Sequence, residues 1–178
     1  MRSNRLKILF PARVKARGIH ERDEEMGFLS ARNVILGQHA NSKEEVLHDL
    51  AARAVELGIA DDADAVYDSF IFREGLGPTG LTDGFAIPHA KCSAIKEASI
   101  IVYENDKALE WPSFDDKPVD IAIALLVPDA QAGTTHLKLL SKTAVLLMDD
   151  DFKHLVRSTI NKEGIATAIN YELEHDDE

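Results

Sequence analysis

The heptapeptide Gly84-Phe85-Ala86-Ile87-Pro88-His89-Ala90 joins a short apolar run to a proline and a histidine. Its first part, residues 85–87, has the apolar and aromatic character of a strand. Pro88 has a fixed φ and no amide hydrogen, and it keeps the residue before it extended. The sequence therefore predicts that His89 leaves the end of a strand in a restricted direction. The small Ala90 beside it is expected to leave the imidazole accessible.

A glycine-rich loop precedes this strand. Residues 75–84 contain four glycines, one proline and two threonines, a composition that is typical of loops. The glycines allow the backbone to approach a ligand and to turn amides toward it. Arg73 carries a planar charged fork that fits phosphoryl oxygens, and Thr79 offers a hydroxyl donor. A simpler interpretation is that Arg73 only offsets the C-terminal dipole of its own helix.

A second histidine, His136, follows the Thr134-Thr135 pair at a predicted helix start. The first turn of a helix has free amides and the positive end of the helix dipole, and both favour an anion. If the fold brings His136 near His89 and Arg73, the group suits phosphoryl transfer. A neutral imidazole, with an ordinary pKa of about 6.5, is a competent nucleophile near pH 7. The plainer alternatives are a surface role for His89 and a solvent-facing ring for His136.

Cys92 lies three residues after His89, and this spacing raises the alternative of a zinc site. A single His-x-x-Cys pair is a weak zinc signal, and a small buried side chain is the more ordinary interpretation of Cys92. No Gly-x-x-x-x-Gly-Lys-Ser/Thr loop occurs, so no nucleotide site is predicted. The remaining histidines match no motif and are predicted to lie at the surface: His20, His39, His48, His154 and His175.

Hydrophobic periodicity predicts an α/β layered domain, with helices before, between and after a few strands. The predicted strands are Val34–Leu36, Phe85–Ile87, Ala98–Tyr103 and Val119–Val127. The last strand is apolar on both faces and is therefore expected at the centre of the sheet. Five helices are predicted. The first follows a capping box at Ser42–Glu45, the second follows Asp61 or Asp62, and the last two occupy residues 151–158 and 162–173. The third begins near Thr134, and its predicted buried stripe is Leu137, Leu140, Ala144, Leu147 and Met148.

The charge of the 178-residue chain is unevenly distributed. Residues 1–25 hold seven basic and four acidic residues, a net charge of +3, whereas the other 13 basic and 27 acidic residues give the body −14. An acidic body argues against nucleic acid as the main partner. It suits a basic protein partner, although charge also keeps a protein soluble.

One cysteine excludes an internal disulfide. No apolar run approaches the ~20 residues that span a bilayer, so we expect a cytoplasmic protein without membrane insertion.

The length of the chain fits one domain, which we place at residues 26–178. Residues 1–25 show no sustained periodicity, and Pro11 and Gly18 interrupt them. They are predicted to form a basic, weakly ordered N-terminal extension. The alternative is that Met26 is the natural first residue.

The two histidine motifs, taken together, resemble a known family. The chain from about Phe28 to Asn170 is similar to the enzyme IIA domains of the bacterial sugar phosphotransferase system, of the fructose/mannitol type. The motifs that carry this resemblance are Arg73-Glu74 with the Gly/Thr-rich loop, residues 84–90, and His136-Leu137-Lys138-Leu139-Leu140-Ser141-Lys142. Trp111 and the Asp115–Pro118 turn are similar to the fructose-type members. Pro78 and the segment 81–83 depart from the usual loop, which affects the rim of the site and the choice of partner.

The resemblance implies a single three-layer α/β/α domain with a small mixed sheet. It implies that His89 accepts a phosphoryl group from phospho-HPr, at Nε2, and passes it to a cysteine or histidine of a sugar-specific IIB partner. Arg73 and His136 would stabilise the group in transit, Thr79 would be a further phosphoryl contact, and no metal or organic cofactor is implied. The alternative is a regulatory module in which phosphorylation of His89 controls binding to a target protein. The sugar and the oligomeric state, a homodimer included, stay open.

Overall fold

A five-stranded mixed sheet forms the middle layer of the protein in a computed structural model, which describes residues 27–175. The strands are β1 (Val34–Gln38), β2 (Phe85–Ala86), β3 (His89–Cys92), β4 (Ser99–Leu109) and β5 (Val119–Pro128). β1 is parallel to β4, β4 is antiparallel to β5, and β2 and β3 both run parallel to β5. The prediction that the last strand is central is confirmed. The predicted N-terminal extension, residues 1–25, lies outside the described residues.

Five helices cover the two faces of the sheet. They are α1 (Lys43–Glu56), α2 (Ala63–Leu76), α3 (Thr134–Leu146), α4 (Asp150–Ser158) and α5 (Lys162–Glu174). Buried residues of α1 and α2 share one apolar core with one face of the sheet, and buried residues of α3, α4 and α5 share a second core with the other face. The three-layer α/β/α fold that the family resemblance implied is therefore confirmed.

Strand β5 separates the two cores because its side chains alternate between them. Ile123 and Leu125 belong to the core beneath α3–α5, whereas Ala124 and Leu126 belong to the core beneath α1 and α2. All four side chains are fully buried. The short strands β2 and β3 therefore pair with a strand that is buried on both faces.

Side-chain caps fix where the first two helices begin. The Ser42 hydroxyl accepts from the Glu45 amide at 3.1 Å, as the capping box predicts. The Glu45 carboxylate, however, accepts from the amide of Asn41 at 2.7 Å rather than from that of Ser42. Asp62 caps α2 by accepting from the Ala65 amide at 3.1 Å, which decides between the two aspartates that the sequence offered.

The predicted buried stripe of α3 is only partly right. Leu147 is buried, and Leu140 and Ala144 pack half-buried against the second core. Leu137 and Met148 are wrong, because they are 64% and 80% exposed, and the stripe omitted the buried Leu139, Thr143 and Leu146. The segment has leucines at neighbouring positions, and packing against the sheet, which local periodicity does not contain, selects which of them are buried.

The chain around Pro88 forms two short strands instead of the single strand that the sequence predicted. β2 ends at Ala86, and His89 is the first residue of β3 rather than the residue that leaves a strand. Pro88 has no amide to donate to the ladder, but its carbonyl accepts from the Leu125 amide at 2.9 Å. The interruption therefore stays in register with β5, and His89 pairs with Leu125.

Candidate functional site

His89 lies on the face of the sheet that carries the second core, and its imidazole is buried. Only 4% of the residue is exposed, and neither ring nitrogen has a hydrogen-bond partner among the described residues. A buried polar group without a partner costs free energy and is often a functional group. The expectation that the small Ala90 leaves the ring accessible is wrong, because the ring is buried. Ala90 lies in the core on the opposite face of the sheet and does not border the ring. Neighbouring side chains must therefore move before a ligand can reach the ring nitrogens.

Burial controls the protonation of His89. It is the largest of the effects that lower the pKa of the ring to about 3, and the positive charge of Arg73 and the neighbouring His136 act in the same direction. The imidazole is therefore neutral near pH 7. A neutral ring has a free lone pair on one nitrogen, which is the state that a nucleophile requires.

His136 lies beside His89, as the sequence hypothesis required. The two ring centroids are 5.2 Å apart, and the ring planes are tilted by 57°. His136 is half-buried, and burial, followed by the charges of Lys91 and Arg73, lowers its pKa. It is the third residue of α3, whose first turn receives no side-chain cap from Gly133. The amides of this turn are therefore available to an anion.

Arg73 lies in the last turn of α2 and acts on both imidazoles. It is half-buried, and its charge lowers the pKa of His89 and of His136. Its Nη1 donates to the carbonyl of Gly77 at 2.9 Å, which fixes the guanidinium at the start of the glycine-rich loop. The other N–H groups of the fork can serve a ligand. The position of Arg73 thus fits both interpretations from the sequence: a contact to phosphoryl oxygens, and a charge that offsets the C-terminal dipole of α2.

Thr79 is less free than the sequence suggested. It is buried, and its backbone carbonyl accepts from the Ile87 amide at 3.0 Å, which places it next to the strand that leads to His89. Its hydroxyl donates to Oε1 of Glu74. A hydroxyl has one proton, so Thr79 does not donate to a phosphoryl group while this bond exists.

Glu74 is the carboxylate that holds Thr79. Its side chain is 6% exposed, and its Oε2 lies 3.9 Å from Nζ of Lys43. Burial raises the pKa of Glu74, and Thr79, Lys43 and Arg73 partly oppose that shift. The sequence placed Glu74 in a motif but gave it no role, because its contacts with Lys43 of α1 and with the Thr79 hydroxyl appear only in the folded chain.

Lys91 is a further charged residue of the site that sequence reasoning missed. It is exposed, it lies two residues after His89, and its charge lowers the pKa of both His89 and His136. In a strand, residues two apart lie on the same face. Recognising β3 would have placed Lys91 beside the imidazole.

Cys92 is half-buried on β3, and burial is the main cause of its raised pKa. Between residues 27 and 175, no group of three or more His, Cys, Asp and Glu side chains is placed to hold a metal ion. The half-buried position of the thiol fits the small-residue interpretation.

The lowered pKa of His89 links folding to pH. The ring titrates near 6.5 when unfolded and near 3 when folded, so the unfolded state binds the extra proton between these values. The contribution of His89 to the free energy of unfolding therefore falls as the pH falls from about 6.5 toward 3. Between pH 7 and about pH 4.5, we expect the wild type to lose about 2–3 kcal/mol more than His89→Ala. Urea unfolding of both proteins at the two pH values measures this difference, and parallel losses would contradict it.

The sequence model of a family described as "Phosphoenolpyruvate-dependent sugar phosphotransferase system, EIIA 2" matches residues 27–172. The chain belongs to this enzyme IIA family. The match spans the sheet, nearly all of the five helices and every residue of the candidate site. Among the described residues of this IIA domain, no helix is long and apolar enough to cross a membrane.

Relatives of the IIA domain include sugar-specific components and nitrogen regulatory proteins. It is 33% identical to the "PTS system 2-O-alpha-mannosyl-D-glycerate-specific EIIABC component" of Escherichia coli K12, over 76% of this chain but only 21% of that protein. It is 32% identical to the fructose-specific EIIA component of Haloferax volcanii, over 72% of this chain and 82% of that protein. It is also 35% identical to the nitrogen regulatory protein of Bradyrhizobium diazoefficiens, over 72% of this chain and 83% of that protein.

Solved structures agree with the fold. The nitrogen regulatory protein IIA-Ntr of Neisseria meningitidis superposes with a TM-score of 0.74 at 25% identity, covering 80% of this chain and 96% of that one. The mannitol IIA domain of E. coli in its complex with phosphorylated IIB has a TM-score of 0.65 at 19% identity, covering 80% of this chain and 96% of that one. At that identity, the likeness shows the fold alone. The complex shows that an enzyme IIA of this fold contacts a IIB protein.

Proposed function

We propose that this domain is a phosphoryl carrier of a sugar phosphotransferase system, which accepts phosphate from phospho-HPr on His89 and passes it to a sugar-specific IIB protein. The observation that carries the proposal is the neutral, unpartnered imidazole of His89 beside Arg73 and the first turn of α3. The proposed role places the domain in the cytoplasm and needs no metal or organic cofactor.

In the proposed phosphoryl transfer, one N–P bond forms while another breaks. The lone pair of Nε2 of His89 attacks, the new N–P bond forms, and the P–N bond of the donor imidazole breaks with its electron pair returning to the donor ring. Charge in such a transition state is spread over the three equatorial oxygens. The guanidinium of Arg73, the His136 ring and the free amides of α3 lie around His89 and are the groups that can stabilise this charge.

The surroundings of the site favour a protein over a small molecule as the phosphoryl donor. Phe72 and Leu76, one turn apart on α2, are 71% and 69% exposed, and Leu137 on α3 is exposed beside His136. Exposed apolar side chains around a functional group mark a protein interaction surface. We propose HPr and IIB as the partners that dock here.

Phosphorylation by purified components tests the proposal. The protein is incubated with enzyme I, HPr and labelled phosphoenolpyruvate, and the label is then tested for lability in acid and stability in alkali. We expect a phosphohistidine that forms only when HPr is present and is lost when a IIB protein is added. A wild-type domain that takes up no label would contradict the proposed function.

His136→Ala should slow transfer by about tenfold, the effect of losing one hydrogen bond to the charged phosphoryl group, while the domain stays folded. The residue is half-buried and its Nδ1 has no partner among the described residues, so its removal breaks no hydrogen bond. Leu137→Ala, at the next and exposed position, is the matched control. We expect His136→Ala to lower the maximal transfer rate and Leu137→Ala to raise the half-saturating concentration of phospho-HPr. An unchanged maximal rate in a folded His136→Ala variant would remove His136 from the site.

A regulatory role is the second candidate, and the relatives named nitrogen regulatory proteins favour it. In that role, phosphorylation of His89 controls which target protein is bound. Pull-down with the unphosphorylated and phosphorylated protein separates the two functions. Capture of a IIB protein supports transport. Capture of a different target, in only one of the two phosphorylation states, supports regulation. The fructose-like segment from Trp111 to Pro118 favours transport.

A further inference from the structure

The edge strand β3 is secured by a single hydroxyl from α2. Among residues 27–175, β3 pairs with β5 on one side only, so the backbone groups on its other side need different partners. The amide of Lys91 donates to Oγ of Ser69 at 2.8 Å, and the same Oγ donates to the carbonyl of Lys91 at 3.0 Å. One side chain therefore satisfies both the donor and the acceptor of Lys91.

This pair of hydrogen bonds joins the two elements that carry the proposed phosphoryl site. Ser69 and Arg73 are four residues apart on α2 and lie on the same helical face, one turn from each other. Lys91 and His89 are two residues apart on β3 and lie on the same face of the strand. The contact of Ser69 with Lys91 is thus a short mechanical link between the guanidinium and the imidazole.

We propose that Ser69 is a positioning residue, which sets the position of Arg73 relative to His89 for phosphoryl transfer. The proposal rests on the proposed function of the domain. It adds a residue outside the histidine motifs that acts through the backbone of Lys91 and touches neither phosphorus nor the imidazole.

Other contacts between α2 and β3 are apolar and less directional. Phe70 and Val66 are buried against Ala90 in one apolar core, but apolar packing is non-directional. β3 is only four residues long, and Pro88 before it has no amide to donate. Arg73 lies in the last turn of α2, which leads into the glycine-rich loop. Among the described residues, the hydrogen bonds from Ser69 are therefore the directional contacts between α2 and the backbone of β3. A displacement of about 1 Å in a reacting group costs on the order of a hundredfold in rate.

A matched pair of variants tests the role of the hydroxyl. Ser69→Val and Ser69→Thr have nearly the same shape, but only threonine keeps the hydroxyl. We expect Ser69→Val to lower the maximal rate of transfer from phospho-HPr by about tenfold and to leave the half-saturating concentration of phospho-HPr unchanged, because the docking surface is untouched. Ser69→Thr should recover the wild-type rate to within about twofold. Equal rates in the two variants would overturn the proposal. If Ser69→Val does not fold, Ser69→Ala takes its place.

A double-mutant cycle with Arg73→Ala separates positioning from a general loss of stability. If Ser69 acts through the geometry between Arg73 and His89, Ser69→Val should cost less than about twofold once the guanidinium is absent. Hydrogen exchange of the Lys91 amide should accelerate in Ser69→Val, which shows that the link is broken. Accelerated exchange with an unchanged transfer rate would reject the positioning role, as would a full tenfold loss in the Arg73→Ala background. The labelled wild type in the same assay reports on the proposed function itself.

Discussion

His89→Ala will remain folded and will fail to take up phosphate from phospho-HPr. The side chain is the proposed nucleophile, and loss of a nucleophile is not compensated by groups that only stabilise charge. We expect the rate of labelling to fall by at least about a thousandfold. The measurement is incorporation of label from phosphoenolpyruvate through enzyme I and HPr, followed by quantification of acid-labile phosphate.

The folded state of this variant is what makes the result interpretable. The His89 ring makes no hydrogen bond with the described residues, so the substitution removes packing but leaves no partner unsatisfied. His154→Ala is the matched control, because His154 is exposed on α4 and lies outside the site. The control should be labelled at the wild-type rate. Label retained in a folded His89→Ala protein would show that another residue carries the phosphoryl group.

The parts of the site that the sequence predicted are local. The strand–proline–histidine run around His89 and the Thr–Thr–His start of α3 each lie within a few residues. Their geometry follows from the restricted φ of proline and from the free amides of a helix start. The structure places His89, His136 and Arg73 together, as the sequence hypothesis required. The three-layer fold was predicted equally well, because it followed from a family resemblance over nearly the whole regular chain.

The features that the sequence missed depend on contacts between different elements of the fold. The burial of His89 arises from elements that surround it in the fold, whereas the sequence shows only a small neighbour. The bond between Thr79 and Glu74, and the bonds between Ser69 and Lys91, join a helix to a loop or to an edge strand. A serine on a half-exposed helical position has no sequence signature of such a contact. The same limit explains the two residues of α3, Leu137 and Met148, that were wrongly predicted to be buried.

Arg73→Ala is expected to produce the second largest loss, a fall in the maximal transfer rate of about a hundredfold to a thousandfold. This is the range for removing one preorganised donor from a developing oxyanion. Arg73→Lys keeps a charge but loses the planar fork, so it should fall between the wild type and Arg73→Ala. The measurement is transfer from phospho-HPr at saturating concentration, with melting temperatures to show that all variants fold.

The loss in Arg73→Ala should come from the transition state and not from protonation of the nucleophile. Removal of the guanidinium takes away the second largest cause of the low pKa of His89, so this pKa rises. Burial, the largest cause, remains and keeps the ring neutral near pH 7. The rate of Arg73→Ala should therefore stay flat between pH 7 and pH 8.5, because no missing neutral imidazole is recovered at higher pH. A rate that climbs back to that of the wild type over this range would assign to Arg73 the control of His89 protonation. If folded Arg73→Ala keeps a maximal transfer rate within about threefold of the wild type at pH 7, Arg73 does not stabilise the transition state. Its role is then limited to the end of α2, where it bonds the Gly77 carbonyl.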